Sequence, residues 1–95
     1  MSDAERRPDP IAEAIVDALA DGRSRSIPQL QSIIGRARAK PGEEIETIAR
    51  YKVAVKQNAL HLARAGVVEM TRKGAVVDPD DHKGVVRLRL AASAA

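Results

Sequence analysis

The clearest change of hydrophobic period in the chain lies in residues 43–77, EEIETIARYKVAVKQNALHLARAGVVEMTRKGAVV. Up to residue 65 the apolar side chains recur at intervals of three, four and seven residues, which predicts a helix over about 43–65. Its expected core positions are Ile45, Ile48, Val55, Ala59, Leu62 and Ala63. Gly66 follows as a C-cap, and the pattern then alternates, with Val68 and Met70 inward and Glu69 and Thr71 outward. A long helix followed by a strand is therefore predicted, with a turn at 72–74 and a return strand at 75–77.

Two shorter helices are predicted upstream. The first begins at Asp9-Pro10, which fit the N-cap and first helical positions, and Gly22 ends it. Its expected core positions are Ile11, Ile15, Ala18 and Leu19. The second begins with a capping box, in which Ser26 is the N-cap and Gln29 stands three residues later. Its expected core positions are Leu30, Ile33 and Ile34, and Gly35 is expected to terminate it before a basic connection at 36–42.

The C-terminal part alternates again, with Val86, Leu88 and Leu90 inward and Arg87 and Arg89 outward. The order helix, helix, helix, hairpin predicts an α+β fold. This fold is a three-helix winged helix-turn-helix domain over residues 9–90 with a C-terminal β-hairpin wing. Residues 1–8 and 91–95 are expected to be disordered tails. The wing tip stays open between the turn at 72–74 and the polar loop at 78–84.

Composition limits the class of protein. Ninety-five residues with seven Ile, nine Val and six Leu allow one compact domain, and Tyr51 is the only aromatic residue. The absence of cysteine excludes disulfides and thiolate metal sites. Apolar runs are too short for a membrane span, and the charged N-terminus is unlike a signal peptide. We therefore expect a cytoplasmic, nucleoid-associated protein with no membrane partner.

Charge is distributed unevenly along the chain. Residues 1–22 hold six acids and two bases, net −4, whereas residues 23–73 hold eleven bases and four acids, net +7. The basic middle section favours a polyanionic partner. The near absence of aromatic side chains disfavours single strands, whose bases stack on aromatic rings, and leaves double-stranded DNA as the expected partner.

On a helical wheel, a polar face of the third helix lies opposite the expected core. The predicted base-reading residues on it are Arg50, Ala54, Gln57, Asn58 and His61, with Thr47 on the same side. Basic side chains on both sides of that face and in the wing are expected to contact phosphates. These are Arg36, Arg38, Lys40, Lys52, Lys56, Arg64, Arg72, Lys73 and Lys83.

An enzyme is not expected. His61 and His82 are the only histidines, and no serine has the context of a nucleophile elbow. No glycine-rich phosphate loop is present, and the residues 78–83 fail the calcium-loop pattern. The sequence therefore predicts no catalytic residue, no metal, no cofactor and no evident small-molecule ligand.

The spacing of Tyr51, Val55, Lys56 and Leu62, followed by the run 65–69 (AGVVE), resembles the recognition helix and first wing strand of winged-helix repressors. The similarity covers roughly residues 26–77. The segment between Gly35 and Val55 is longer than in short bacterial repressors. In this respect the chain resembles the N-terminal winged-helix domain of Mrr-type restriction proteins, which carries an insertion there. The chain lacks the tryptophan usual in their wing and a nuclease domain, so no restriction role is implied.

The resemblance to winged-helix repressors implies a transcriptional regulator or repressor that reads the major groove with its third helix and holds the DNA backbone with its wing. It also implies a homodimer, formed through the first helix or the C-terminal strand. Two other readings stay open. One is a nonspecific architectural DNA binder, and the other is a winged-helix adaptor that binds a protein.

Overall fold

The computed structural model describes residues 10–80 and 84–91. In chain order the elements are α1 (Pro10–Ala18), β1 (Arg25–Ser26), α2 (Ile27–Arg38), α3 (Glu44–Arg64), β2 (Val68–Arg72), β3 (Ala75–Val76) and β4 (Arg87–Leu90). The α+β class is confirmed, and the arrangement of three helices with a small antiparallel sheet is winged-helix-like. The predicted tails at 1–8 and 92–95, the predicted N-cap Asp9 and the loop residue Lys83 lie outside the described residues.

The sheet has four strands in the order β1-β4-β2-β3, rather than the two of a simple hairpin. β2 and β4 form its centre and pair antiparallel, with Val68 opposite Leu90 and Thr71 opposite Arg87. β1 is added outside β4, and β3 is added outside β2. The wing is therefore built on β2 and β4, and the segment between them includes β3.

The turn expected at 72–74 joins β2 to β3. Its two central residues, Lys73 and Gly74, have φ values of 53° and 84°, as a tight two-residue hairpin turn requires. Arg72 pairs with Ala75 across this turn. Lys73 therefore lies at the tip of the β2–β3 hairpin, not at the end of the β2–β4 pair.

One core lies between the helices and the sheet. It is formed by the aliphatic side chains of Ile11, Ala12, Ile15, Leu19, Leu30, Ile34, Val55, Ala59, Leu62, Val68, Met70, Val86 and Leu88. The inward positions expected in the first helix and in the last strand are confirmed at Ile15, Leu19 and Leu88, which are fully buried. Ala91, expected in the C-terminal tail, is also buried, and its N–H donates to the Val67 carbonyl at 3.1 Å.

Four expected orientations are wrong. Ile33 and Ile45 were expected in the core, but they are 39% and 84% exposed. Thr47 and Thr71 were expected outward and are buried. Thr47 can be buried at little cost because its hydroxyl donates to the Glu43 carbonyl at 2.8 Å, and the Thr71 hydroxyl faces the Arg87 carbonyl at 3.5 Å.

The prediction that Gly35 ends α2 is also wrong. The helix continues to Arg38, and Gly35 is buried within it. A Cβ atom at this position would stand 2.6 Å from Cα of Ile48 in α3. At Gly35, α2 and α3 therefore lie too close together for a side chain to fit between them. The role of Gly35 is packing rather than termination.

The predicted start of α2 is confirmed. The backbone N–H of Gln29 donates to Ser26 Oγ at 3.2 Å, and the Ser26 N–H donates to Gln29 Oε1 at 2.8 Å. These two bonds satisfy donors that a helix N-terminus otherwise leaves without partners. They also fix the first turn of α2, which carries Ile27 and Pro28.

Replacing Ser26 by alanine is expected to lower the free energy of unfolding by about 1 kcal/mol, because one bond of the capping box is lost. Urea denaturation measures this change. Ser32→Ala, inside the same helix, is the matched control and should stay within about 0.5 kcal/mol of the parent. Equal effects of the two substitutions would contradict a stabilising role for the cap.

Within residues 10–80 and 84–91, no helix combines the length and the apolarity needed to cross a membrane.

Candidate nucleic-acid interface

The outward face of α3 is defined by the side chains that it buries. Thr47, Val55, Ala59 and Leu62 point inward. With about 3.6 residues per turn, Val53 lies nearly opposite Val55, and it is 66% exposed. Exposed polar side chains surround it on the same helix, namely Arg50, Lys52, Lys56 and Gln57. The accessible face of α3 therefore consists of one apolar side chain, Val53, surrounded by three basic side chains and one amide side chain.

The predicted base-reading residues divide into two groups. Arg50, Gln57 and His61 are exposed. Ala54 and Asn58 are half-buried, and the Asn58 amide donates to the Ala54 carbonyl at 2.9 Å. The structure therefore places three of the five on the open side of the helix, and turns the other two toward the protein.

Lys52 and Lys56 stand one helical turn apart on α3, beside Val53. Both are exposed, and neither side chain forms an ion pair with the rest of the described chain. The Lys52 carbonyl accepts a 2.9 Å hydrogen bond from the buried Gln31 amide of α2, which ties α3 to α2 at this level. The backbone that carries the two lysines is thus fixed to α2, and their ammonium groups, which have no ion-pair partner in the described chain, are available to an anion.

The basic residues of the wing have different surroundings. Arg72 is exposed, and its guanidinium Nη2 lies 3.5 Å from the point where a Cβ at Gly84 would be. Lys73 is exposed at the hairpin turn. Arg64, at the end of α3, is ion-paired with Asp80 at 2.6 Å, so its charge is already compensated. Of these three, Arg72 and Lys73 are the better candidates for phosphate contacts.

Arg36, Arg38 and Lys40 belong to the other end of α2. They lie about 15 Å along the helix axis from its first turn, at about 1.5 Å per residue. All three are exposed, and the Arg38 guanidinium carbon lies 5.4 Å from the centroid of the Tyr51 ring. The structure does not bring this basic segment together with the surface beside the first turn of α2.

A groove lies between α2, α3 and the segment 84–86 that leads into β4. Its volume is about 500 Å³. Ile27 and Pro28 from the first turn of α2, and Val53 from α3, line it together with Val85, which is 78% exposed. Lys52 and Lys56 also line the groove, as does Gly84, beside which the Arg72 guanidinium lies. We call this feature the basic groove.

Sequence reasoning missed the apolar members of this site. Val53 and Val85 were not singled out, and the first turn of α2 was considered only as a helix start. The sequence held one signal for Val53. This residue lies between Lys52 and Ala54 and four residues after Ala49, where lysines interrupt the apolar stripe of the helix. No local signal marks Val85, since it reaches the groove only through the pairing of β4.

The acidic residues lie elsewhere on the surface. Glu13 and Asp17 are exposed on α1. Asp21, after α1, accepts from the Arg23 N–H at 2.9 Å and pairs with Arg25 at 3.1 Å. That N–H is the main cause lowering the pKa of Asp21, against slight desolvation, and the charges of Arg25 and Arg23 act in the same direction. Asp21 is thus paired with Arg25, a base that does not line the basic groove.

Among residues 10–80 and 84–91, no three His, Asp or Glu side chains come together in the arrangement of a metal site.

The fold and the site together define a small winged-helix-like domain with an exposed, basic outer face on its third helix. The family model described as "Protein of unknown function (DUF3253)" matches residues 8–91, so the chain belongs to the DUF3253 family. No curated protein matches the chain.

Proposed function

We propose that this chain binds double-stranded DNA and acts as a transcriptional regulator, with α3 in the major groove and the wing along the backbone. The observation that supports this most is the presence of Lys52 and Lys56 on the outer face of α3, both exposed and without an ion pair to any described residue. Arg72 adds a third cation from the wing, next to Gly84 of the basic groove. A duplex offers phosphates on both sides of the groove into which a helix fits.

Base reading falls to the side chains at the centre of that face. Arg50 has the donors to bind guanine, and Gln57 can bind adenine through two hydrogen bonds. Val53, between the lysines, offers an apolar contact of the kind that the thymine methyl group accepts. Lys52, Lys56, Arg72 and Lys73 would set the position of the domain on the phosphates. The protein would act in the cytoplasm, at the nucleoid.

A homodimer fits this proposal, because a 95-residue domain covers little DNA by itself. The sheet order restricts the interface. β4 has β1 on one side and β2 on the other, so it cannot pair with a second copy. The exposed face of α1 is then the remaining candidate of the two, and light scattering coupled to size exclusion would measure the mass of the species in solution.

The decisive experiment is fluorescence anisotropy of the full chain with a labelled mixed-sequence duplex and with a single strand, across a salt series. Five exposed cations that form no ion pair within residues 10–80 and 84–91 (Arg50, Lys52, Lys56, Arg72 and Lys73) predict a log–log salt slope of about −4 to −5 for the duplex. The single strand should bind more weakly, since the face carries no aromatic platform. Absence of duplex binding at micromolar protein and low salt would overturn the proposal.

Unlabelled competitors of different sequence separate a specific regulator from an architectural binder, for which all duplexes compete equally.

The second candidate function is a protein-interaction module, and the exposed valines of the basic groove favour it. Under that function the same titration would show no duplex binding, and a co-purifying protein would be lost on Val53→Asp substitution.

A further inference from the structure

The floor of the basic groove is more apolar than phosphate binding requires. Val53 and Val85 are both mostly exposed, and they lie with Ile27 and Pro28 in one depression. Contacts to the DNA backbone need cations and hydrogen-bond donors, not a depression lined by aliphatic carbon. A concave apolar surface with a few charged groups at its edge is instead typical of small-molecule sites.

The charges that the described residues place at the edge are of one sign. Lys52 and Lys56 line the groove from successive turns of α3, and no carboxylate is among the lining residues within 10–80 and 84–91. The one amide there, Gln31, already donates to the Lys52 carbonyl. The groove therefore has two cations to offer and an aliphatic floor, which complements a molecule with an anionic head and an apolar body.

We propose that the basic groove binds a small amphipathic carboxylate, with its hydrocarbon part on Val53, Val85 and the first turn of α2 and its carboxylate between Lys52 and Lys56. The volume of about 500 Å³ lies within the roughly 300–1,000 Å³ of ligand sites. Because the same two lysines are the proposed phosphate contacts, ligand and DNA compete for them. The ligand is thus an effector that releases the protein from DNA. The effector role rests on the proposed function, whereas ligand binding does not.

Binding is tested first without DNA, by titrating the ¹⁵N-labelled full chain and following its amide resonances. Three probes separate head from body: octanoate carries both parts, octan-1-ol lacks the charge, and acetate lacks the chain. Octanoate is expected to give saturable shifts at Gln31, Val53 and Val86, with an affinity at least about tenfold higher than either of the others. Shifts that do not saturate, or equal affinities for octanoate and octan-1-ol, would overturn the site.

Two variants locate the binding. Lys52→Gln with Lys56→Gln should reduce octanoate to the affinity of octan-1-ol, because the aliphatic floor remains while both charges are gone. Val53→Ser should weaken both chain-bearing probes. Val76→Ser is the control, since Val76 is another exposed valine but lies on β3, outside the groove. If Val76→Ser weakens octanoate as much as Val53→Ser does, the groove is not where it binds.

The effector role is tested by adding octanoate to the protein–duplex complex, with acetate at the same ionic strength as the reference. Saturating octanoate is expected to lower duplex affinity at least about tenfold relative to acetate. If octanoate binds the free protein but leaves duplex affinity unchanged, the effector role is wrong. If the protein binds octanoate but no duplex, the proposed function fails while the ligand site stands. If it binds duplex but not octanoate, the inference fails and the proposed function stands.

Discussion

Replacing Gly35 by alanine is expected to lower the free energy of unfolding by about 1–2 kcal/mol, because a clash with backbone atoms costs about 3 kcal/mol, the upper end of the usual range for overpacking, and helix propensity offsets about 1 kcal/mol of it. A Cβ there would lie 2.6 Å from both Cα and Cγ1 of Ile48 and 3.0 Å from its backbone nitrogen. A rotamer change of Ile48 would relieve only the contact with Cγ1. The Cα and nitrogen can be relieved only if α2 and α3 move apart.

Helix propensity predicts the opposite sign, which makes this substitution informative. Gly35 lies in the interior of α2, where alanine is intrinsically favoured by roughly 1 kcal/mol. The expected loss is therefore the overpacking cost remaining after that gain. Urea denaturation gives the free energy, and an unchanged m-value would show that the unfolding transition is the same one.

Ala37→Gly, at an exposed position of the same helix, is the matched control for propensity. It should cost about 0.5–1 kcal/mol, since nothing crowds the site. If Gly35→Ala were as stable as the parent or more stable, the close approach of α2 to α3 would be wrong. Gln31 would then not hold the Lys52 backbone as described.

The sequence correctly predicted the secondary-structure elements whose ends depend only on a few neighbouring residues. The capping box at Ser26 and Gln29 needs only four residues, and Gly66, with a φ of 79°, ends α3 by its own backbone freedom. The alternation at 87–90 predicted β4 because one side of that strand faces the core. Such signals do not depend on which other element packs nearby.

Tertiary packing overrode the local signal at Gly35, and the apolar stripe wrongly placed Ile45 in the core. A glycine inside an apolar segment indicates a helix end when only the chain itself is considered, and a packing contact when another helix crosses it. Ile45 was expected in the core because it continues the apolar stripe, yet it is 84% exposed at the start of α3.

The error at Ile45 also explains the error in the interface. Counting Ile45 and Ala63 as inward residues rotates the inferred core side of α3 toward Lys52 and Lys56. The opposite side is then centred near Arg50 and His61, instead of on Val53. Ala54 and Asn58 were placed on the DNA face for this reason.

Periodicity predicted neither β1 nor β3, although the turn at 72–74 correctly predicted β3 as a return strand. Each has two residues, which is too short for any periodicity, and each exists because it hydrogen-bonds to an edge of the β2–β4 pair. β3 was anticipated only as a return strand after a recognisable turn. β1 has no turn signal, and its pairing with β4 joins residues more than sixty positions apart.

Removing the charges of Lys52 and Lys56 together is expected to have the largest effect on duplex binding. Lys52→Gln with Lys56→Gln should weaken it roughly 10- to 100-fold at physiological salt, because each lysine is proposed to neutralise a phosphate. The log–log salt slope should become less negative by about 1.8, since each lost phosphate contact changes it by about 0.9. Glutamine keeps much of the aliphatic stem, and both side chains are exposed, so the thermal melt should not move.

Arg36→Gln with Lys40→Gln is the matched control for charge. It also removes two exposed cations that form no ion pair in the described chain, and it lowers the formal net charge by the same amount, from +3 to +1. Its cations lie at the other end of α2 from the basic groove, so we expect a smaller loss of affinity and a smaller change of slope. Equal losses from the two double variants would mean that duplex binding depends only on net charge and that the face of α3 with Lys52 and Lys56 is not a specific DNA-binding surface. A larger loss from the control would move the interface to the C-terminal end of α2 and the basic segment 36–40.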